Sequence, residues 1–550
     1  MGAIKLPIGL SNFEDIRKNN YYYVDKTYVI SELIEEDAGT NSILFTRPRR
    51  FGKTTLQSMF CSFFDIRKDS RELFHGLKIM QEKKIVDEWM NKYPVIYLSL
   101  REIDGNSYEI AEGMLKREIG KIFKEYSFIL EDELFADDRK SFSELMTSDS
   151  SAIDLMTSLA LLSRLLHKHY GKQAIILIDE YDVPLDKASD NGYYAEMLNL
   201  IRALFYSVLK DNNDVKKAIL TGCLRISKES LFTGLNNLAV YSVTGIGYET
   251  AFGFTGDEVD KLLSAAGFSE KKDVIRKWYD GYCIGSEKLY TPWDVILYVS
   301  KLMKDKDAEP DNFWANSSGN NAIRKLIDIT EASVSDDFTA LIEGKAIEKK
   351  ISETLTYSNV YSNENNIWSL LLSTGYLTID GKYNPNKETS LKLPNEEIRN
   401  LFAESADEWF TDFAKRSNRD ELFSAIWNGN AEALSSIISR YLSRSISYYD
   451  YIESYYHAFL VGLLSGSPYP VKSNREQGEG RPDITIGNRP ENKLAIFEIK
   501  RAHAISDVPQ KLDEAVKQIR ERHYSDTEDY DDVICYAIVF YRKKAFARKV

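Results

Sequence analysis

Ser42-Ile43-Leu44-Phe45-Thr46-Arg47-Pro48-Arg49-Arg50-Phe51-Gly52-Lys53-Thr54-Thr55 is the stretch on which the fold turns. An apolar, β-forming run leads into a basic loop, and Leu56, Met59 and Phe60 follow at helical spacing, so the order is strand, loop, helix. Gly52-Lys53-Thr54 falls where the helix begins. Amides at a helix N-terminus, beside a glycine that relaxes the backbone, can wrap phosphate groups; Lys53 can reach the terminal phosphates and Thr54 can hold Mg²⁺. Arg47 occupies the place of the first glycine of a general phosphate loop. Arg49 and Arg50 either add cationic contacts or face solvent.

Outward from this loop, Val95 to Leu100, Ala174 to Ile178 and Ala218 to Thr221 are further short apolar runs separated by helical stretches, the pattern of a buried parallel sheet. The first 225 or so residues therefore read as α/β. Ile175 to Ile178 run into Asp179-Glu180, which is how a strand delivers a metal-holding Asp and a water-polarising Glu to a phosphate site. An ordinary strand end with solvent-facing acids is the plainer reading, and the Gly-Lys-Thr loop upstream tips the balance toward nucleotide binding. Thr221 and Arg225, at and beyond the end of the next strand, are placed to sense a γ-phosphate.

The chain has 550 residues, 43% of them hydrophobic, enough for two to four domains with their own cores. With 28% charged and 12% aromatic residues it lacks the signature of a disordered chain. Cys61, Cys223, Cys283 and Cys535 lie far apart with neither disulfide nor zinc spacing, which fits a reducing compartment. No secretory leader or membrane-length apolar run is present, so a cytoplasmic location with no membrane partner is expected. The net charge of −13 argues against a protein that coats nucleic acid by bulk electrostatics. Residues 451–550, however, carry about +1 against −14 on the rest, and the chain ends with Arg542, Lys543, Lys544, Arg548 and Lys549. Any part meeting a phosphate backbone is the C-terminal one; the alternative is a solvated basic tail.

Beyond Phe254 the spacing shifts to shorter helices, and residues 422–441 read as a helical hairpin broken at Asn428-Gly429-Asn430. From about residue 445 the order is αββαβ. There Asp483 and Glu498 become opposed if the hairpin turns between Pro490 and Glu491, which puts their Cβ atoms roughly 5 Å apart. Glu498 and Lys500, two apart, share that face. Two carboxylates and an ammonium are what metal-assisted phosphodiester hydrolysis requires. A surface pairing on an ordinary hairpin is the competing reading; Leu494-Ala495-Ile496-Phe497, apolar on both faces, argues against it, because a buried carboxylate is costly without a partner.

Leu6-Pro7-Ile8-Gly9, Tyr22 to Thr27, Phe45 to Thr54, Leu177 to Asp182 and Leu220-Thr221-Gly222 together resemble the bacterial AAA-ATPase-like proteins, whose loop also carries Arg-Pro-Arg-Arg-Phe-Gly-Lys-Thr. The block from about Ser445 to Phe540 resembles the PD-(D/E)XK nuclease superfamily. The resemblance implies a P-loop ATPase domain at 1–230, a mainly helical lid or linker at 231–444 and a restriction-endonuclease-like domain at 445–550. It implies ATP and Mg²⁺ at Arg49, Arg50, Gly52, Lys53, Thr54, Thr55, Asp179, Thr221 and Arg225, with Glu180 acting on water. It carries Asp483 and Glu498 over as metal ligands (Mg²⁺, with Mn²⁺ as a substitute), Lys500 as the catalytic lysine, Glu453 as an accessory acid, and Gln518 with Tyr524 as a later motif. His457 reads as a packed or hydrogen-bonded helix residue. The expectation is an ATP-hydrolysing protein coupled to cleavage of nucleic acid, DNA in preference to RNA. The alternative is a nucleotide-controlled switch whose C-terminal fold only binds nucleic acid or a protein partner. A homo-oligomer, with Arg225 or Arg50 completing a neighbour's site, stays open.

Overall fold

A strand buried on both faces reads as a near-continuous apolar run, and the central strands of the first sheet are of this kind. β1 (Ser42–Thr46), β2 (Val95–Ser99), β3 (Ala174–Asp179), β4 (Val215–Gly222) and β5 (Leu238–Tyr241) lie in the order β2-β3-β4-β1-β5, every pairing parallel. The two-residue period of a strand sends alternate side chains to opposite layers. Leu44, Ile176, Ile178 and Leu220 join one core with the helices Tyr108–Glu125, Ala152–Tyr170 and Tyr194–Leu209. Ile43, Phe45, Leu177 and Ile219 join the other with the Lys53–Phe64 helix. This is the P-loop-type parallel sheet with flanking helices that the sequence predicts.

The computed structural model describes residues 4–36, 41–131, 133–225, 231–232, 234–235, 237–314, 334–353, 355, 364–405, 419–443, 453–465, 469–473, 482–522 and 530–550. The chain forms two compact units: Met1–Ala322 with Glu348–Ile398, and Ile323–Ile347 with Arg399–Val550. Within the first, the helices Gly256–Ala266, Lys272–Tyr279 and Pro292–Lys304 share an apolar cluster with Leu6, Tyr22 and Val24. The first of these helices starts from a reciprocal capping box between Thr255 and Glu258. The region after β5 also contains strands that the helical reading did not include. β6 (Tyr282–Ile284) and β7 (Glu287–Leu289) form a hairpin, and β8 (Ile347–Lys349), β9 (Thr378–Ile379) and β10 (Thr389–Lys392) form a small sheet in the order β8-β10-β9. Strands this short show too few alternations for a period of two to be read.

The second unit holds a sheet in the order β11-β12-β13-β14-β15: β11 (Val471–Ser473), β12 (Ile484–Asn488), β13 (Lys493–Arg501), β14 (Asp532–Tyr541) and β15 (Lys544–Lys549). The predicted αββαβ order is present, from the helix Glu453–Leu464 through β12, β13 and the helix Val508–Glu521 to β14, with an edge strand added on each side. β15 comes from the basic C-terminal run and is paired antiparallel with β14. Its backbone amides at Ala545 and Ala547 donate to the hydroxyls of Ser439 (2.9 Å) and Ser435 (2.8 Å) on the helix Ala431–Ser443, which covers the exposed edge. That helix follows Asp420–Trp427, the expected hairpin. Among the described residues no helix is long and apolar enough to cross a membrane.

Candidate active sites

In the first unit the loop after β1 turns sharply: Arg50 has φ 68° and Gly52 φ 85°, the latter at the N-cap of the Lys53–Phe64 helix, where glycine adopts a left-handed conformation without strain. Lys53 lies folded over its own loop, its ammonium donating to the carbonyls of Arg47 (3.0 Å) and Pro48 (2.8 Å) and lying 3.4 Å from Cys223 Sγ. Arg47 is wholly buried and points away from that loop. Its guanidinium donates to the carbonyls of Thr46, Tyr241 (2.7 Å) and Tyr248 (3.1 Å) and lies over the Phe252 ring. Burial lowers its pKa to about 10. The residue in place of the first glycine therefore ties the loop to the segment after β5. Arg49 faces Asp186 at 3.7 Å, and Arg50 stacks on Trp293, 4.4 Å from the ring centroid. Thr55, in the first helical turn, is half-buried.

At the ends of β3 and β4 the polar groups close into a network. Asp179 is wholly buried; its Oδ2 accepts from the Thr54 hydroxyl at 2.7 Å and its Oδ1 from the Thr221 hydroxyl at 2.5 Å. Glu180 follows at φ 53°, with its pKa raised by burial and by the Asp179 charge. Asp182 Oδ2 receives the amides of Cys223 and Leu224, both at 2.9 Å, which fixes the turn leading to Arg225. Gly222 has no alternative there, since an added Cβ would sit 2.4 Å from the Tyr181 ring. Arg225 pairs with Glu353 at 2.8 Å, and Glu353 also accepts from Thr244; these groups line a cleft with Thr46, Cys223 and Ser242. The structure thus gathers Lys53, Thr54, Asp179 and Thr221 at one place, and holds Arg225 by an acid 128 positions away that the sequence did not signal. The Thr54 proton is given to Asp179, which leaves the oxygen's lone pairs open; an all-oxygen donor set of this kind fits Mg²⁺.

In the second unit β12 and β13 pair in the predicted register, Ile484 with Phe497 and Asn488 with Lys493, so that Asp483 and Glu498 stand at the next opposed positions. Leu494 and Ile496 face one apolar cluster, shared with the helix Val508–Glu521, and Ala495, Phe497 and Ile499 face the other. By the strand period, Glu498 and Lys500 point to the first of these faces. Glu498 is wholly buried, and its Oε1 accepts from Lys500 Nζ at 2.8 Å. Asp483 Oδ2 accepts the Ile499 amide at 2.7 Å, so this carboxylate is clamped across the strand pair. The Asp483 carbonyl lies 3.0 Å from His457 Nε2. A carbonyl only accepts, so this ring nitrogen carries the proton, and His457 is a hydrogen-bonded helix residue. Ser473 Oγ lies on the same nitrogen.

Gln518 is half-buried on the helix that covers this face. One turn earlier Glu514 is held below the usual carboxylate range by Lys511 and, more weakly, by Gln510 and Lys500. The side chain of Glu453, Arg481 and Tyr524 lie outside the described residues. Among the described residues no three His, Cys, Asp or Glu side chains gather as metal ligands. Asp483 and Glu498 are hard oxygen donors of the kind a divalent cation takes with water completing its shell.

Residues 7–232 match the family model described as a predicted AAA-ATPase, and residues 451–549 match that of the PD-(D/E)XK nuclease superfamily. A curated relative, an "uncharacterized protein in vnfD 5′ region" of Azotobacter chroococcum, is 29% identical over 411 residues, 72% of this chain and 69% of its own. Among solved structures, the ORC2 protein of Aeropyrum pernix in ADPNP–ADP complexes aligns with 72% of this chain and 98% of its own at 10% identity and a TM-score of 0.24. With the parallel sheet and the sheet of the second unit in place, the chain carries an AAA-ATPase-like domain at residues 7–232 and a domain of the PD-(D/E)XK nuclease superfamily at residues 451–549.

Proposed function

We propose that the chain binds and hydrolyses ATP with Mg²⁺ in an N-terminal domain at 1–230, and that this is coupled, through the region 231–444, to metal-dependent cleavage of nucleic acid, DNA in preference to RNA, by a domain at 445–550. At the first site Gly52, Thr55, Arg49 and Arg50 would cradle the phosphates. The Lys53 N–H now directed at Cys223 Sγ, a weak acceptor, is the one that turns to a terminal phosphate. Thr54 and Asp179 would hold Mg²⁺, Glu180 would orient the attacking water, and Thr221 and Arg225 would report the γ-phosphate, Arg225 after leaving Glu353.

At the second site Asp483 and Glu498, with Glu453 as an accessory acid, would hold Mg²⁺ or Mn²⁺. The metal, when bound, lowers the pKa of a water and balances charge on the phosphate. Lys500 would position the nucleophile and offset the developing charge, and Gln518 would orient the substrate side of Lys500. The single observation that carries this reading is Glu498: a carboxylate with no exposed surface, held by a lysine two residues on, is an expensive arrangement for a surface hairpin and an apt one for a metal centre.

The rival reading, a cytoplasmic nucleotide switch whose C-terminal fold binds without cutting, draws support from the net charge of −13, which does not draw the chain to nucleic acid by bulk electrostatics. One experiment separates the two. Purified protein is incubated with linear, circular and single-stranded DNA and with RNA, with Mg²⁺ or Mn²⁺, with and without ATP. Metal-dependent cutting that Asp483→Ala abolishes, with ATP turnover lost in Lys53→Ala, supports the proposal. Equal cutting by wild type and Asp483→Ala leaves the switch reading ahead.

A further inference from the structure

The Lys53–Phe64 helix buries an apolar face through Leu56, Met59, Phe60 and Phe63, and one side chain on that face is an amide: Gln57, with no exposed surface. The two hydrogens of its Nε2 are directed at three acceptors on two strands, the carbonyls of Ile178 (3.4 Å) and Ile219 (3.1 Å) and the Thr221 hydroxyl (3.3 Å). The orientation of the amide is fixed by chemistry. Turned over, it would set its oxygen against two carbonyl oxygens. Its Oε1 is buried without a hydrogen-bond partner among the described residues, a desolvation cost that leucine or methionine would avoid. The position therefore keeps a glutamine for its N–H groups.

Those N–H groups determine where a proton points two residues away. A hydroxyl that accepts from Gln57 has its own hydrogen left to give, and the other group on Thr221 Oγ1 is Asp179 Oδ1 at 2.5 Å. Asp179 then accepts on both oxygens, from Thr221 and, at 2.7 Å, from Thr54. Gln57 and Thr221 form a one-way chain of donors that ends on Asp179 in a buried setting, and Thr54 donates to the same carboxylate from the other side. We infer that Gln57 is a positioning residue of the nucleotide site: its amide holds the Thr221 hydroxyl as a donor to Asp179 and thereby keeps the Asp179 carboxylate turned to Thr54, where the metal of a metal–nucleotide would be held. The inference rests on the nucleotide-binding reading above and assigns Gln57 to the metal, with no contact to the nucleotide.

The test uses the full chain, ADP and Mn²⁺, with Mn²⁺ binding to the ADP-loaded protein followed by electron paramagnetic resonance, and ADP binding measured separately in EDTA. In Gln57→Met, Mn²⁺ binding weakens by about tenfold while ADP binding without metal stays within about twofold of wild type, the size expected when a partner behind a metal ligand is removed. Thr221→Val weakens Mn²⁺ to a similar degree, Thr221→Ser retains the wild-type value, and the double variant Gln57→Met/Thr221→Val is no weaker than the poorer single one. The two Thr221 variants read the chain of donors even if Gln57→Met is too unstable to purify. Unchanged Mn²⁺ affinity in Gln57→Met or Thr221→Val, or losses that add in the double variant, would overturn the inference. A wild type that binds no ADP under either condition would instead remove the nucleotide reading on which it stands.

Discussion

Asp179 and Glu498 are both carboxylates without exposed surface on strands of interior sheets, and the chain satisfies them in different ways. Asp179 accepts from two neutral hydroxyls, those of Thr54 and Thr221. Glu498 accepts from a charged amine, Lys500. A carboxylate held by hydroxyls keeps its full charge for a cation, and rotating a hydroxyl is enough to admit one. A carboxylate held by an ammonium is already balanced, so a cation must compete with that partner, and the partner is then released to act on substrate. Asp294 and Glu397 show a third solution. Both are wholly buried; burial raises the Asp294 pKa to about 7, burial and then the Asp294 charge raise that of Glu397 to about 9, and Glu397 also accepts the Trp314 amide at 2.7 Å, so Glu397 carries a proton at neutral pH.

The largest effect is expected where the balanced site meets substrate. Asp483→Ala is expected to lower cleavage by about a thousandfold or more, as loss of a metal ligand does, while ATP hydrolysis stays at the wild-type rate. A parallel loss of ATP hydrolysis would erase the distinction between the two sites. Next in size, Lys500→Met removes the charge that balances Glu498 and is expected to destabilise the second unit by about 3 kcal/mol in urea unfolding, whereas Lys500→Arg costs far less. Equal stability of Lys500→Met and wild type would show that Glu498 does not depend on this lysine.

Asp294 and Glu397 sharpen the comparison by pH. Because both are raised when folded, the folded chain binds more protons than the unfolded one above the ordinary carboxylate range, so stability falls as pH rises through and beyond that range. Asp294→Asn and Glu397→Gln are expected to flatten that fall in melting temperature measured from about pH 5 to 9, and an unchanged slope would mean that these two acids do not set it. Arg50 faces Asp294 and reduces the effect. The smallest effect lies at the sheet edge: Ser435→Ala and Ser439→Ala should each cost about 1 kcal/mol, since each hydroxyl accepts one β15 amide.

The parts legible in the sequence are those whose chemistry lies within a short stretch. β1, the loop and the helix were readable because apolar strand, Gly-Lys-Thr and helical spacing follow one another, and the hairpin register because Asp483 and Glu498 flank a turn rich in Gly, Asn and Pro. The parts that escaped depend on distant residues or on pieces too short for periodicity. The Arg225–Glu353 pair spans 128 positions, and Asp294 meets Glu397 from another part of the chain. Gln57 left one faint signal, a lone amide on an apolar helix face. The basic run Lys544–Lys549 resembled a tail because its charges hide an alternation that Ala545 and Ala547 use to pair with β14.

The account stands on Glu498 being buried for chemistry. Glu498→Gln keeps the size of the side chain and an oxygen to accept from Lys500 and removes its charge, so the assay to run is cleavage of linear DNA in Mg²⁺ by this variant beside wild type, with thermal melting on the same samples. The account predicts cleavage reduced by about a thousandfold or more with the melting temperature held or raised; wild-type cleavage by a stably folded Glu498→Gln protein would contradict it.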